Sequence, residues 1–151
     1  TAPPGPAAGP YSYPQAAPMS AGYPTTGNFA GPIGKQRATG TVILLSIVTL
    51  GIYTYVWYYF VHEEMKRHSG RGLGGVLALV IAVFIGVVSP FLAASEVGDL
   101  YEARGEKPPV TALTGLWAFP GIFILVGPIV WLVKTNGALN RYWAALGAPA
   151  A

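Results

Sequence analysis

Charged residues leave three long gaps in this sequence, and those gaps restrict the fold more than any other feature. Residues 38–61, 72–95 and 108–133 comprise 24, 24 and 26 residues without Asp, Glu, Lys, Arg or His. Within the second gap, residues 72–88 read GLGGVLALVIAVFIGVV, with no charge, amide or hydroxyl. A helix rises about 1.5 Å per residue, so each gap, taken as one helix, exceeds the roughly 30 Å hydrocarbon thickness of a bilayer. A water-soluble alternative would need an amphipathic shell around three all-apolar helices, and the residues outside the gaps supply only short polar pieces. Backbone in lipid must satisfy its own hydrogen bonds, and three segments are too few for a closed barrel. The expected fold is therefore all-α, an integral membrane protein with three transmembrane helices over about 40–61, 72–93 and 112–133.

Composition agrees with this. Only 10% of the 151 residues are charged, against roughly 25% in ordinary soluble domains. The net charge of +3 comes from nine Lys and Arg scattered in pairs rather than gathered in a stripe, so nucleic acid is not an expected partner. The absence of cysteine removes disulfides, thiolate metal sites and thiol nucleophiles.

Residues 1–34 hold eight of the fourteen prolines, with six glycines, seven alanines and no charge. Such a composition buries too little apolar surface to offset chain entropy, and it predicts a disordered, partly polyproline II tail. It lacks the basic and apolar regions of a signal peptide. The expected organisation is this tail, a three-helix membrane domain over 35–147, and a disordered end at 148–151.

The first gap closes on YTYVWYYF, and aromatic rings with polar tips favour the headgroup zone. Tyr53, Trp57, Tyr58, Tyr59, Trp131, Tyr142 and Trp143 are the expected interfacial anchors. Beyond the first gap, Glu63 with Arg67 and Glu64 with His68 stand at i, i+4, and Gly70 is placed to end that helix. His62 and His68 are six residues apart and fall on different helix faces, so no metal is expected there. A small residue or proline recurs at every fourth position from Gly70 to Ala94, and Gly74, Ala78, Ala82 and Gly86 are the expected helix-packing row. Its partner is either a neighbouring helix or another copy. Pro90, Pro120-Gly121 and Gly127-Pro128 predict kinks or breaks in the second and third gaps.

Two short interfacial amphipathic helices are also expected. One places Glu96, Asp99, Glu102 and Glu106 opposite Val97, Leu100 and Tyr101. The other aligns Leu139, Tyr142, Trp143 and Leu146, with Asn136 as its N-cap. With three crossings, Lys35, Arg37, Arg104 and Lys107 share one side and the other five basic residues share the opposite side, so the positive-inside rule does not orient the chain. A cytoplasmic tail is expected because the tail carries no export signal.

Two phrases, ILLSIVTLGIYTYVWYY at 43–59 and LNRYW at 139–143, resemble the bacterial membrane-protein family catalogued as domain of unknown function 4234, in the form with a Pro-rich, Tyr-bearing front tail. The resemblance implies a small multi-pass protein of the bacterial cytoplasmic membrane and brings no reaction or catalytic residue with it. No ionisable group lies within a gap, which disfavours catalysis or proton relay inside the membrane and implies no cofactor. The expected role is a non-catalytic interaction or accessory subunit that binds the lipid bilayer and other membrane proteins or itself. The alternative is a small transporter or pore subunit built on the broken third segment.

Overall fold

The computed structural model describes residues 29–124 and 126–151, which form five α-helices and two short 3-10 helices. The α-helices are α1 (Thr39–Val48), α2 (Ile52–Ser69), α3 (Gly75–Phe84), α4 (Ser89–Ala103) and α5 (Gly127–Ala145). The 3-10 helices, Ala112–Trp117 and Gly121–Ile124, lie between α4 and α5. Helix is thus the only regular structure among the described residues, as expected.

Each charge-free gap, however, is interrupted near its middle. In the first, α1 ends after ten residues and the chain reverses through Leu50 and Gly51, with φ of 52° and 91°. Glycine takes that left-handed backbone without the Cβ penalty that Leu50 incurs. The Thr49 hydroxyl fastens the turn, donating to the Leu45 carbonyl at 2.7 Å and accepting the Tyr53 N–H at 2.9 Å. The Thr54 and Ser46 hydroxyls then tie the two limbs together at 3.2 Å.

The far ends of the gap also meet. The Arg37 guanidinium donates two hydrogen bonds to the Glu64 carboxylate, at 2.9 and 2.7 Å. A continuous helix would hold residues 37 and 64 about 40 Å apart. The second gap behaves alike: α3 stops at Phe84, residues 85–88 turn, and Pro90 occupies the first turn of α4, where a missing N–H costs nothing. The Leu73 N–H donates to Glu96 at 2.7 Å, across ends that a continuous helix would separate by about 35 Å. In the third gap the two 3-10 helices run in and α5 runs out, with Pro128 in its first turn and Gly127 set against the backbone of Trp117 and Gly121.

The expected trio of long helices is therefore replaced by three helical hairpins. No helix among the described residues is long and apolar enough to cross a membrane. The expected interfacial helices are not separate elements either. Residues 95–103 continue α4 and residues 136–145 continue α5, and their apolar faces are buried at Val97, Leu100, Leu139, Tyr142 and Trp143. Of the expected acidic row, Asp99 and Glu102 of α4 and Glu106 just beyond it are exposed, whereas Glu96 is half-buried and bonded to His62 and the Leu73 N–H.

The core joins Trp57, Val61 and Met65 of α2 to Ala93 and Val97 of α4 and Leu139, Tyr142 and Trp143 of α5. Its rings meet edge-on, the geometry that ring quadrupoles favour: Trp57 with Trp131 at 5.7 Å and Tyr101 with Tyr142 at 5.4 Å. Close backbone approach sets the rest. A Cβ on Gly75 would stand 2.6 Å from the Tyr59 carbonyl oxygen, and one on Gly98 would stand 2.6 Å from that of Val110. Of the tail expected over residues 1–34, residues 1–28 lie outside the described residues. The following segment packs on the protein: Phe29 meets the His68 ring edge-on at 5.4 Å, and the Gly31 N–H donates to the His68 carbonyl at 3.2 Å. At the other end, Ala148 accepts a hydrogen bond from the Gln36 amide at 2.8 Å, so the boundary expected at 148–151 moves outward by at least one residue.

Candidate functional site

The turns of the three hairpins meet round one cavity, lined by Leu50, Gly86, Val87, Phe119 and Ile122. Hydrogen bonds from Arg37 to Asn140, Gly75 to Glu63 and Tyr101 to Ala138 join their openings, so the openings lie at one end and the turns at the other. This sorts the protein into a polar head and an apolar tip layer. The head contains all nine Lys and Arg and all six Asp and Glu, because the gaps between them form the limbs and turns.

A buried amide organises the head. The Asn136 side chain, in the middle of α5, accepts the Trp57 indole N–H at 3.1 Å and donates to the Arg37 carbonyl at 2.8 Å and the Thr39 hydroxyl at 2.9 Å. One turn on, Asn140 accepts the Arg37 N–H at 2.9 Å and donates to the Arg37 carbonyl at 2.7 Å. Two asparagines thus clasp the backbone of Arg37, which lies just ahead of α1 and outside its ladder of intrahelical hydrogen bonds. Asn136 is a link between elements, which corrects its expected role as an N-cap.

The histidines sit in separate settings. His62 Nδ1 lies 2.7 Å from Glu96 Oε2, and Glu96 also accepts the Leu73 N–H, so one carboxylate joins α2, α4 and the entry to α3. His68 Nδ1 lies 3.2 Å from the Gly31 carbonyl, which only accepts, so Nδ1 carries a proton there. Its Nε2 lies 3.2 Å from the Tyr142 hydroxyl. Burial pushes the Tyr142 hydroxyl up to about 12, against the opposing pull of Arg104. Glu63 is held below the ordinary glutamate range by the Gly75 N–H, then by the Arg67 side chain at 2.8 Å, the i, i+4 pair read from the sequence. Glu64 pairs with Arg37 rather than with His68. Asp99 is raised, chiefly by desolvation and then by Glu102 and Glu96. Among the described residues no three His, Asp or Glu side chains are grouped to hold a metal ion.

The tip layer is apolar and uncovered. Leu50 at its first turn is 94% exposed, Phe84 at the second 81%, and Phe123 at the third 81%. Exposed Leu44, Ile47, Val80, Val83, Leu113 and Ile129 extend this surface along the limbs. Between the turns lies an apolar cavity of about 460 Å³, lined by residues of all three hairpins, among them Leu50, Gly86, Val87, Phe119 and Ile122. Monomeric soluble proteins rarely expose contiguous apolar patches beyond a few hundred Å².

The residues singled out from the sequence are redistributed. Ala78 and Ala82 are buried on α3, whose most extensive neighbour is α2, so that row packs within the chain. Gly74 caps α3 and Gly86 lies exposed in the second turn, so the row ends where the helix ends. Of the expected anchors, Trp57, Tyr58, Trp131, Tyr142 and Trp143 are buried in the core, while Tyr53 and Tyr59 are half-buried. Within the aromatic run Trp57 and Tyr58 therefore mark internal packing against Trp131 of α5, whereas Tyr55 and Phe60 are exposed. Not anticipated was the pairing of Arg37 with Glu64 and Asn140. Its signal was present in the basic residue at the mouth of the first gap and the two asparagines spaced i, i+4.

The family profile described as Domain of unknown function (DUF4234) matches residues 37–141. No curated protein matches the chain, and neither does any solved structure.

Proposed function

The chain belongs to the DUF4234 family, and from its geometry we propose a non-catalytic membrane protein that is seated in a single leaflet and presents its polar head to partners on one side. The observation that carries the proposal is the segregation of every charge to the end opposite three uncovered apolar turns. Depth supports it. α1 and α3 each have ten residues, a length of about 15 Å, which is half the hydrocarbon thickness of a bilayer. The non-helical turns contain carbonyls that lipid leaves unpaired, and at the first of them the Thr49 hydroxyl donates to the Leu45 carbonyl, while the Thr54 hydroxyl is satisfied by that of Ser46.

Orientation follows from the same arrangement. With all nine basic residues on one side the positive-inside rule no longer ties, and the proposal places the head in the cytoplasm. The membrane proposed is the bacterial cytoplasmic membrane, as the family resemblance implies. Phe29, the first described residue, packs on His68 in the head, and the proposal assigns the Pro-rich residues ahead of it the role of a recruiting arm for an assembly. A carrier reading gains little. All three gaps are broken, yet no ionisable group lies at any break, and the cavity between the turns is apolar.

Fractionation tests the proposal. The protein is expected to remain with membranes through an alkaline carbonate wash, and the tagged full chain to retain crosslinked membrane proteins that are lost when residues 1–28 are removed. Recovery of folded, monodisperse protein in a detergent-free supernatant would overturn the membrane reading. Identical crosslinked partners with and without residues 1–28 would remove the recruiting arm.

A further inference from the structure

Seating of this kind is one-sided, and its mechanical consequence can be worked out from the limbs. Three hairpins place six limbs side by side below the head. A helix is about 10 Å across, so each limb occupies about 80 Å² in the plane of the membrane and six occupy roughly 470 Å². The limbs reach only to the midplane, so the opposing leaflet receives no matching area. A bilayer with one expanded leaflet relieves the mismatch by bending convex toward that leaflet. The short links of the head, residues 70–74 and 104–111, are tied to α4, the Leu73 N–H donating to Glu96 and the Val110 carbonyl lying against Gly98. Hydrogen bonds between hairpins brace that end: the Arg37 N–H to Asn140, the Gly75 N–H to Glu63, and the Tyr101 hydroxyl to the Ala138 carbonyl at 2.7 Å. The inserted body is thus a single braced unit whose area cannot disperse by separation of the hairpins.

We propose that the protein shapes membranes: it favours and produces bilayers that are convex on the side of its head. The proposal rests on the one-leaflet reading above and adds an activity to it. An alternative use of the same tips, two copies meeting across the midplane from opposite leaflets, would balance the areas and leave the bilayer flat.

Reconstitution of the full chain from detergent tests this. The protein is incorporated into vesicles about 30 nm and about 400 nm across, purified by flotation and treated with external trypsin, which cuts at the Lys and Arg of outward-facing heads. The ratio of outward to inward heads is expected to exceed, in the small vesicles, the roughly twofold excess of outer over inner leaflet area, and to be about one in the large ones. At rising protein-to-lipid ratio, electron micrographs of the large vesicles are expected to show buds or tubules. An outward excess in the small vesicles no larger than leaflet area alone gives, roughly twofold, with no buds or tubules, would overturn the shaping activity while leaving the membrane reading intact. Failure to float at either size would overturn both. Trypsin cleavage at one link and protection of the other within the same molecules would overturn the one-leaflet seat, and the inference with it.

Discussion

Replacing Asn136 by Asp separates the role this residue has in the structure from the role its sequence position suggests. At a helix N-cap, Asn and Asp are nearly equivalent, so the exchange would be close to neutral. In the structure Asn136 is buried and uses both amide hydrogens, on the Arg37 carbonyl and the Thr39 hydroxyl, at 2.8 and 2.9 Å. Aspartate keeps the acceptor for Trp57 but sets a second oxygen against the Arg37 carbonyl, and it buries a charge while the Arg37 guanidinium is already committed to Glu64. An uncompensated buried charge costs about 3–5 kcal/mol. Asn136→Ala leaves the buried Trp57 N–H without a partner and removes two further hydrogen bonds, for about 3 kcal/mol. Thermal unfolding of the full chain in a mild detergent reads both. For a domain of this size the expected drop in Tm is roughly 10 °C for Asn136→Ala and more for Asn136→Asp. An Asn136→Asp protein that melts within about 2 °C of the parent would refute the clasp.

Further outcomes follow from the same geometry. Leu50→Lys is expected to leave the fold in detergent intact, since Leu50 is almost fully exposed, but to weaken membrane retention by about 2.5–3.5 kcal/mol, read by flotation. Ala82→Leu overpacks a buried face of α3 and should destabilise by about 1–3 kcal/mol without changing oligomer size in chromatography; a change of size alone would restore the expected self-association seam. The acids of the head should give opposite pH signs. Asp99 is raised in the fold, so its contribution is present below the ordinary aspartate pKa and lost as pH rises; Asp99→Asn should therefore stabilise at neutral pH by under about 1 kcal/mol and have no effect in acid. Glu63 is lowered, so its contribution is present above the ordinary glutamate pKa and lost in acid; Glu63→Gln should destabilise at neutral pH only.

The amount of this fold that was readable in the sequence is set by what hydropathy measures. Three charge-free stretches and helical backbone were legible, because both follow from composition and periodicity. A stretch of 24 residues, however, crosses about 30 Å once or descends about 15 Å and returns, and its mean hydropathy is the same in either case. The distinguishing signal lies at the midpoints: Leu50-Gly51 in the first gap, Gly86 with Pro90 in the second, and Pro120-Gly121 in the third. The prolines and Gly127-Pro128 read as kinks, whereas Pro90 and Pro128 in fact start helices, where the missing N–H is harmless. Gly51 gave no warning on its own, since single glycines are common in apolar helices. The aromatic residues misled for a related reason. Rings with polar tips suit a headgroup zone, and they suit equally a small core in which Trp57 and Tyr101 have partners in Asn136 and the Ala138 carbonyl. The site residues became legible only once Arg37 met Glu64 and Asn140 across sequence separations of 27 and 103 residues, which no local pattern encodes.

The most direct measurement exploits the absence of cysteine from the chain. Single cysteines replacing the exposed Arg71 and Lys107 mark the two links, and a membrane-impermeant maleimide is applied to right-side-out and inverted membrane vesicles. The hairpin account predicts that both positions react only in inverted vesicles. Reaction of one position in inverted vesicles and of the other in right-side-out vesicles would mean that the second gap, which lies between them, crosses the bilayer, and would contradict it.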